Sequence, residues 1–214
     1  MADQDDITNA TSAQLPEGFK VVGGRKFANN IKYLLPNDDD ERDRLTQQHY
    51  VVRQLIHGNF NAPVEDFLEQ GIRVLDAGCG NGLWLLDMAQ DYPRSIFVGT
   101  DASAEGFPTS DVPPNCTFIL ADTLQGLPFQ DSTFDYVFQR FMNGAFSPAD
   151  WASAVKEFTR VAKSGAYLEL FELSLQYKRT PPGPPRLRDA NERITHPHSL
   201  ACSHNVRQIA RHRP

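Results

Sequence analysis

The sequence predicts an α/β fold, a doubly wound and mostly parallel sheet with helices on both faces. Three observations predict it. The stretch from Ile72 to Ala89 reads as strand, glycine-rich turn and buried helix: Val74-Leu75 is the apolar run, Asp76-Ala77-Gly78-Cys79-Gly80-Asn81-Gly82 the turn, and Leu83-Trp84-Leu85-Leu86-Asp87-Met88-Ala89 the helix. That unit opens nucleotide-binding α/β folds. A second apolar run, Ser95 to Thr100, ends on an acid, Asp101, 25 residues beyond Asp76. Further apolar runs at Cys116–Leu120, Phe134–Phe138 and Tyr167–Phe171 then alternate with a helical period in Trp151–Val161, apolar at 151, 154, 155, 158 and 161.

Composition bounds the rest. The chain has 214 residues, enough for one α/β domain, with 40% hydrophobic and 22% charged residues. A net charge of -6 and a pI of about 5.5 argue against nonspecific nucleic-acid binding, which wants a basic face. Cys79, Cys116 and Cys202 lie far apart without metal-ligand spacing. The polar, acidic start is unlike a signal peptide and no apolar run reaches membrane-spanning length, so a protein inside the cell, cytoplasmic or nuclear, is expected with no membrane partner.

In order along the chain, residues 1 to 24 carry no periodicity and are expected to be a disordered arm. Residues 25–175 form the expected domain. Phe27, Ile31, Tyr33 and Leu34 are possible anchors at its start. Pro36-Asn37-Asp38-Asp39-Asp40-Glu41 is a helix entry, with acids facing the positive helix end. That helix is expected to reach about His57 with Leu45, Val52, Leu55 and Ile56 on its apolar face. His49 falls on the same face, either as a hydrogen-bonded core histidine or, with Tyr33, as part of a lid. Gly58 to Pro63 is a break and Val64 to Gln70 a short helix. Pro108 to Pro114 is too proline-rich for a full helix, and Lys163 to Ala166 reads as a turn.

The glycine spacing decides between ligands. A dinucleotide site wants Gly-x-Gly-x-x-Gly, but Leu83 stands where the third glycine would fall. The pattern Asp76-x-Gly78-x-Gly80-x-Gly82 resembles motif I of the class I S-adenosylmethionine-dependent methyltransferases. Leu127-Pro128-Phe129, a polar turn and Phe134-Asp135 before an apolar strand resemble that family's entry into strand four. The Tyr33-Leu34-Leu35-Pro36 run before an acidic helix, and Arg140-Phe141-Met142-Asn143-Gly144 after strand four, look most like the fungal LaeA-like subgroup. The resemblance covers about Lys26 to Glu172.

The resemblance implies S-adenosyl-L-methionine as cofactor and a contact set of Asp76, Ala77, Gly78, Cys79, Gly80, Gly82, Asp101, Ala102, Asp122, Thr123 and Gln139. Asp76 would orient the methionine part and the glycines pass beneath it, with free N–H groups at the helix start facing the ligand. Asp101 would accept from the two ribose hydroxyls, or else act as a helix cap. Asp122 would accept from the adenine amino group, or else close a turn. The activity implied is methyl transfer to an unidentified small-molecule or protein acceptor. No metal ligands and no catalytic residue are assigned, His49 and His57 being the only histidine candidates for a general base outside the tail. The alternatives are a cofactor-binding regulator with little catalysis and, against Leu83, a nicotinamide-dependent oxidoreductase.

From Gln176 the character changes to eight Lys or Arg against two acids, rich in proline and without strand patterning. Residues 176–214 are therefore expected to be a disordered basic tail, the sheet to lack its last two strands, and the chain to be a truncated methyltransferase of impaired activity. The edge of strand five, Ala166 to Leu173, would then lie open to self-association.

Overall fold

The computed structural model describes residues 18–29, 34–172 and 205–209. A small antiparallel hairpin, β1 (Phe19–Val22) and β2 (Arg25–Ala28), precedes helix α1 (Asp39–Leu55) and the short α2 (Glu65–Gln70). Then follow β3 (Arg73–Ala77), α3 (Leu83–Asp91), β4 (Ile96–Asp101), β5 (Cys116–Leu120), β6 (Phe134–Arg140), α4 (Pro148–Val161), β7 (Ala162–Phe171) and β8 (Asn205–Gln208). The main sheet runs β5-β4-β3-β6-β7-β8, parallel except for the antiparallel β8. The chain leaves β3 towards β4 on one side and returns beside it as β6 on the other, so the switch point lies at the carboxyl ends of these strands.

Alternation along the strands fills both faces. Val74, Phe97, Tyr136 and Phe138 point to α2 and α3, where Trp84 stacks on Phe138 at 4.0 Å between ring centroids. Leu75, Val98, Val137 and Leu168 point to α4, whose Phe158 and Val161 are fully buried. Two buried polar anchors fix loops to this core. Trp84 Nε1 donates to the Asn59 carbonyl at 2.7 Å. The Glu169 carboxylate, 0% exposed, accepts from Asn61 N, Ala62 N and the Tyr136 hydroxyl. Both groups would carry a full desolvation cost without these partners.

Four local expectations change. Residues 18–24 of the expected arm belong to the hairpin and its turn. Arg25 of β2 is clamped to the α1 cap Asp38, at 2.6 and 2.7 Å, and Lys26 reaches Glu105 at 2.9 Å. The disorder expected for 1–17 and for most of 176–214, and the role considered for Tyr33, lie outside the described residues. Leu55 is 71% exposed, because the face that α1 buries is a narrow, partly polar stripe of Glu41, His49 and Val52. Lys163 to Ala166 is a bulged part of β7 rather than a turn, with Gly165 taking the left-handed φ of 87° that the irregularity needs.

The fourth change is β8. It pairs with Tyr167–Leu170, so the sheet has a sixth strand where none was expected, and β7 is not an open edge over those residues. Ile209 continues the contact, donating to the Ala166 carbonyl at 2.8 Å and accepting from Gly165 N at 3.0 Å. Neither strand alternation nor an apolar run marks Asn205–Gln208 in the sequence. The pairing uses backbone groups, which any residue but proline supplies. Arg207→Pro should therefore open the β7 edge, and light scattering should show increased self-association relative to the parent chain. Unchanged mass together with unchanged amide protection at 167–170 would show that β8 does not cover that edge.

Candidate functional site

The glycine turn is sewn to the end of β4. Gly78 N and Cys79 N both donate to the Thr100 carbonyl, at 2.7 and 2.9 Å, and Gly80 N donates to Asp101 Oδ2 at 2.9 Å. Three consecutive N–H groups of the turn are thus used inside the protein, ahead of the helix start at Leu83. Gly78, Gly80 and Gly82 have φ of 80°, 56° and 72°, the region open to glycine at little cost. Around Gly78 and Gly82 the space is already taken. A Cβ on Gly82 would meet the Phe118 ring at 2.5 Å and one on Gly78 the Met142 sulfur at 2.8 Å, whereas one on Gly80 would meet nothing within 4 Å.

Above the turn lies a cleft of about 930 Å³. Of the expected contact set, Gly78, Cys79, Gly80, Asp101, Ala102, Asp122 and Thr123 line it. Asp76, Ala77, Gly82 and Gln139 stand behind the wall. Asp76 is 3% exposed, Ala77 packs in the α4-side core, Gly82 caps α3 against Phe118, and Gln139 is fully buried with its Nε2 on Glu172 at 3.1 Å. Asp101 combines the two roles considered for it. Its Oδ1 accepts from Ser103 N at 2.9 Å, holding its own loop, and with Gly80 and Ala102 as further backbone donors the carboxylate still has lone-pair capacity for a hydroxyl. Asp122 caps a 3-10 turn, Thr123–Gln125, through Leu124 N.

The far wall is formed by the segment after β6, Arg140 to Gly144, where the resemblance implies residues facing the methyl acceptor. β6 ends at Arg140, and Phe141 takes φ 60°, an uncommon value for a bulky residue that turns the chain sharply off the sheet. The following 3-10 turn, Met142–Gly144, is held by the Glu172 carboxylate, which accepts from Met142 N at 2.7 Å and Asn143 N at 3.1 Å. Burial raises the Glu172 pKa against these three stabilising donors, Gln139 included. His49, 1% exposed, faces the cleft from α1. Its Nδ1 meets Arg140 Nη2 at 2.8 Å and its Nε2 meets Asp87 Oδ2 at 3.0 Å. An arginine only donates, so Nδ1 accepts and Nε2 carries the proton to Asp87. With its lone pair engaged, His49 is poorly placed as a general base, and His57 does not line the cleft.

Burial pushes the Asp76 carboxyl from 3.8 up to about 7; the Arg140 charge opposes this and the Asp101 charge adds to it. Cys79 and Cys116, both free and buried, are pushed up by burial and by Asp76, Cys116 to about 11.

The donors present fit the cofactor implied by the motifs: an open glycine face at Gly80 and a carboxylate, Asp101, with free lone pairs beside it. Two outcomes follow. Gly80→Val should put a side chain into the cleft and abolish S-adenosylhomocysteine binding, with a stability loss of about 1–2 kcal/mol from the left-handed φ. Asp101→Ala should weaken binding by about 1.5–3 kcal/mol. Parent-like calorimetric affinity in either folded variant would move the ligand elsewhere. Gly80 is a cleaner test than Gly78, where the new side chain would strike Met142 first.

The Asp76 carboxyl also predicts a pH effect. In the unfolded chain this group is ionised above 3.8, while the fold keeps its proton to about 7, so its contribution to stability falls as pH rises through that window. Asp76 stands behind the cleft wall, so a ligand ammonium would act on it through space; by favouring the ionised form it should release a proton on binding just below pH 7, and affinity should rise with pH up to there. Calorimetry in buffers of different ionisation enthalpy reads the proton directly. Asp76→Asn should erase the effect, and a parent chain that releases no proton at pH 6 would contradict the assignment.

Residues 74–165 match the methyltransferase domain family. The N-methyltransferase sirN of Leptosphaeria maculans is 31% identical over 65% of this chain and 49% of its own length. The N-methyltransferase gliN of Aspergillus fumigatus is 32% identical over 68% of this chain and 51% of its own. The secondary metabolism regulator laeA of Aspergillus fumigatus is 29% identical over 78% of this chain and 45% of its own. The chain spans about half the length of these relatives. Two solved structures share the fold at a TM-score of 0.50. One is a chain from the complex of the Haloferax volcanii Trm112 methyltransferase activator with a methyltransferase, at 24% identity, covering 62% of this chain and 56% of that one. The other is the plantazolicin methyltransferase BpumL with bound SAH, at 15% identity, covering 64% and 55%. With the motif I turn and these relatives in agreement, residues 74–165 are a methyltransferase domain, similar to those of the fungal N-methyltransferases and LaeA-like regulators.

Proposed function

We propose that the chain transfers a methyl group from S-adenosylmethionine to a nucleophile of a small molecule or protein. The observation that carries this reading is the use of the turn's N–H groups. A dinucleotide site keeps such groups for a pyrophosphate, whereas here those of Gly78, Cys79 and Gly80 are bonded to Thr100 and Asp101. What remains is close approach over the Gly80 backbone and carboxylates for hydroxyl, amino and ammonium groups. That donor set suits a cofactor without phosphates.

The bound cofactor would supply an electrophilic methyl group on a sulfonium centre. The chain's part is to hold and screen. Asp101 and Asp122 offer acceptors on the β4–β5 side. The 3-10 turn Met142–Gly144, braced by Glu172, shapes the wall towards the acceptor, and Leu34, Leu35 and Leu45 lay apolar surface over the opening. In-line displacement gains much of its rate from such positioning and exclusion of water. The N-methyltransferase names of sirN and gliN make a nitrogen acceptor the first to test. The acidic net charge supports an acceptor other than nucleic acid.

A second reading, a cofactor-binding regulator, is favoured by the likeness to laeA over 78% of this chain. Among the described residues no helix is long and apolar enough to cross a membrane. Two free, buried thiols suit a reducing compartment inside the cell. Calorimetric titration with S-adenosylhomocysteine and with NAD should give binding of the first only; binding of NAD alone would overturn the reading. Methyl transfer from labelled cofactor to a panel of amines should separate enzyme from regulator.

A further inference from the structure

At about 930 Å³ the cleft stands near the upper end of the range of about 300–1,000 Å³ for ligand pockets, which leaves room for a second molecule beside a cofactor. The glycine turn, Asp101 and Asp122 form its β4–β5 side. The other side lies between α1 and the segment that follows β6, and much of its surface is apolar. Leu34, Leu35 and Leu45 line it from the entry and first turns of α1, Met142 and Phe146 from the far wall. Met142 Sδ lies over Gly78, where a Cβ would come within 2.8 Å of it, so this methionine marks the boundary between the two sides. Phe146 is backed edge-on by Trp151, at 5.3 Å between ring centroids. Leu34 is 79% and Leu35 42% exposed, although both line the cleft. Apolar side chains gathered round one opening mark a surface that a ligand covers.

Charged side chains on that side are held by their neighbours. Arg44 donates to both Glu41 oxygens, at 2.7 Å each, and Arg42 pairs with Asp39. Asp38 is clamped by Arg25, and Asp150 accepts from Ser147 N and Oγ in the α4 capping box, at 2.9 and 2.7 Å. Glu172 accepts from the Met142 turn and Arg140 donates to His49. A charged acceptor entering here would lose its water and, among the described residues, meet charges that are already paired. Lysine and arginine, the basic nitrogen side chains of a protein acceptor, are cations at neutral pH and would carry that cost. An uncharged molecule would not, and it would gain from covering the leucines. Met142 and Phe146 add sulfur and ring contacts that favour a planar ring.

We propose that the methyl acceptor is an uncharged, largely apolar, ring-bearing small molecule, bound between α1 and the Met142–Phe146 segment. The proposal rests on the reading of the cleft as an S-adenosylmethionine site, and its test separates the two. The chain is saturated with S-adenosylhomocysteine and then titrated in a calorimeter with three probes that share one ring system: N-acetyltryptamine, which is neutral, tryptamine, a cation, and indolepropionate, an anion. The neutral probe should bind roughly tenfold or more tighter than either charged one, because burying a charge without a partner is costly. Leu45→Asp should weaken N-acetyltryptamine and strengthen tryptamine, a gain that a misfolded chain would not show. Val51→Asp, at a position of α1 that is 56% exposed and outside the cleft lining, should leave the ranking of the probes unchanged. The proposal is overturned if a charged probe binds as tightly as the neutral one, if none of the three binds, or if a folded Leu45→Asp chain ranks them as the parent does; the cofactor reading survives each of these results. A parent chain that takes up no S-adenosylhomocysteine would sink the cofactor reading and the proposal together.

Discussion

The end of β4 governs the site. One carbonyl, that of Thr100, and one carboxylate, that of Asp101, take up three successive N–H groups of the glycine turn. This ties the turn's shape to the register of β3 on β4, in which Ala77 pairs with Thr100. The positive φ angles at Gly78 and Gly80 are what allow the backbone to present those groups to β4. Asp101 is therefore both a wall of the cleft and a brace of its floor. Any ligand that draws on its remaining lone pairs pulls on the turn as well, so cofactor binding and local rigidity are coupled through one side chain.

The two sides of the cleft are built by different physics. On the β4–β5 side, short-range capping fixes each loop: Asp101 to Ser103 and Asp122 to Leu124, both two residues apart. On the β6–β7 side the ties are long-range and buried. Glu172 reaches the Met142 turn about thirty residues away in sequence, and Arg140 meets His49 of α1 across 91 residues. Buried charges of this sort are costly unless fully partnered. The far wall therefore exists only once the sheet is assembled and α1 has docked.

That difference explains what could be read from the sequence. Strands from β3 to β6 and helices α2 to α4 follow from apolar periodicity, and the turn and Asp101 from spacing. Gly80, Asp101, Asp122 and Thr123 line the cleft as expected, because what fixes their position is local. Arg140 stood in the segment after strand four that the resemblance turned towards the methyl acceptor, but nothing in the sequence joined it to His49, 91 residues away. Glu172, likewise, was an acid at the end of a strand. Gln139 shows the reverse error: placed by analogy beside the cofactor, it is fully buried and bonds Glu172 instead. β8 left no pattern because a short edge strand pairs through its backbone, and the hairpin at the start is fixed by Arg25 on Asp38 rather than by a core.

His49 illustrates how the two halves meet. A histidine on the apolar face of α1 could be a core residue or part of a lid; it is buried and also lines the cleft. Its ring is buried, yet its Nδ1 lone pair orients a cation at the cleft surface. A proton on Nδ1 would remove the acceptor that Arg140 needs and set two N–H donors against each other. The neutral ring is the form consistent with both hydrogen bonds. The docking of α1, the tautomer of His49 and the direction of the Arg140 fork are therefore one structural decision, made by the carboxylate of Asp87 on the helix that follows the glycine turn.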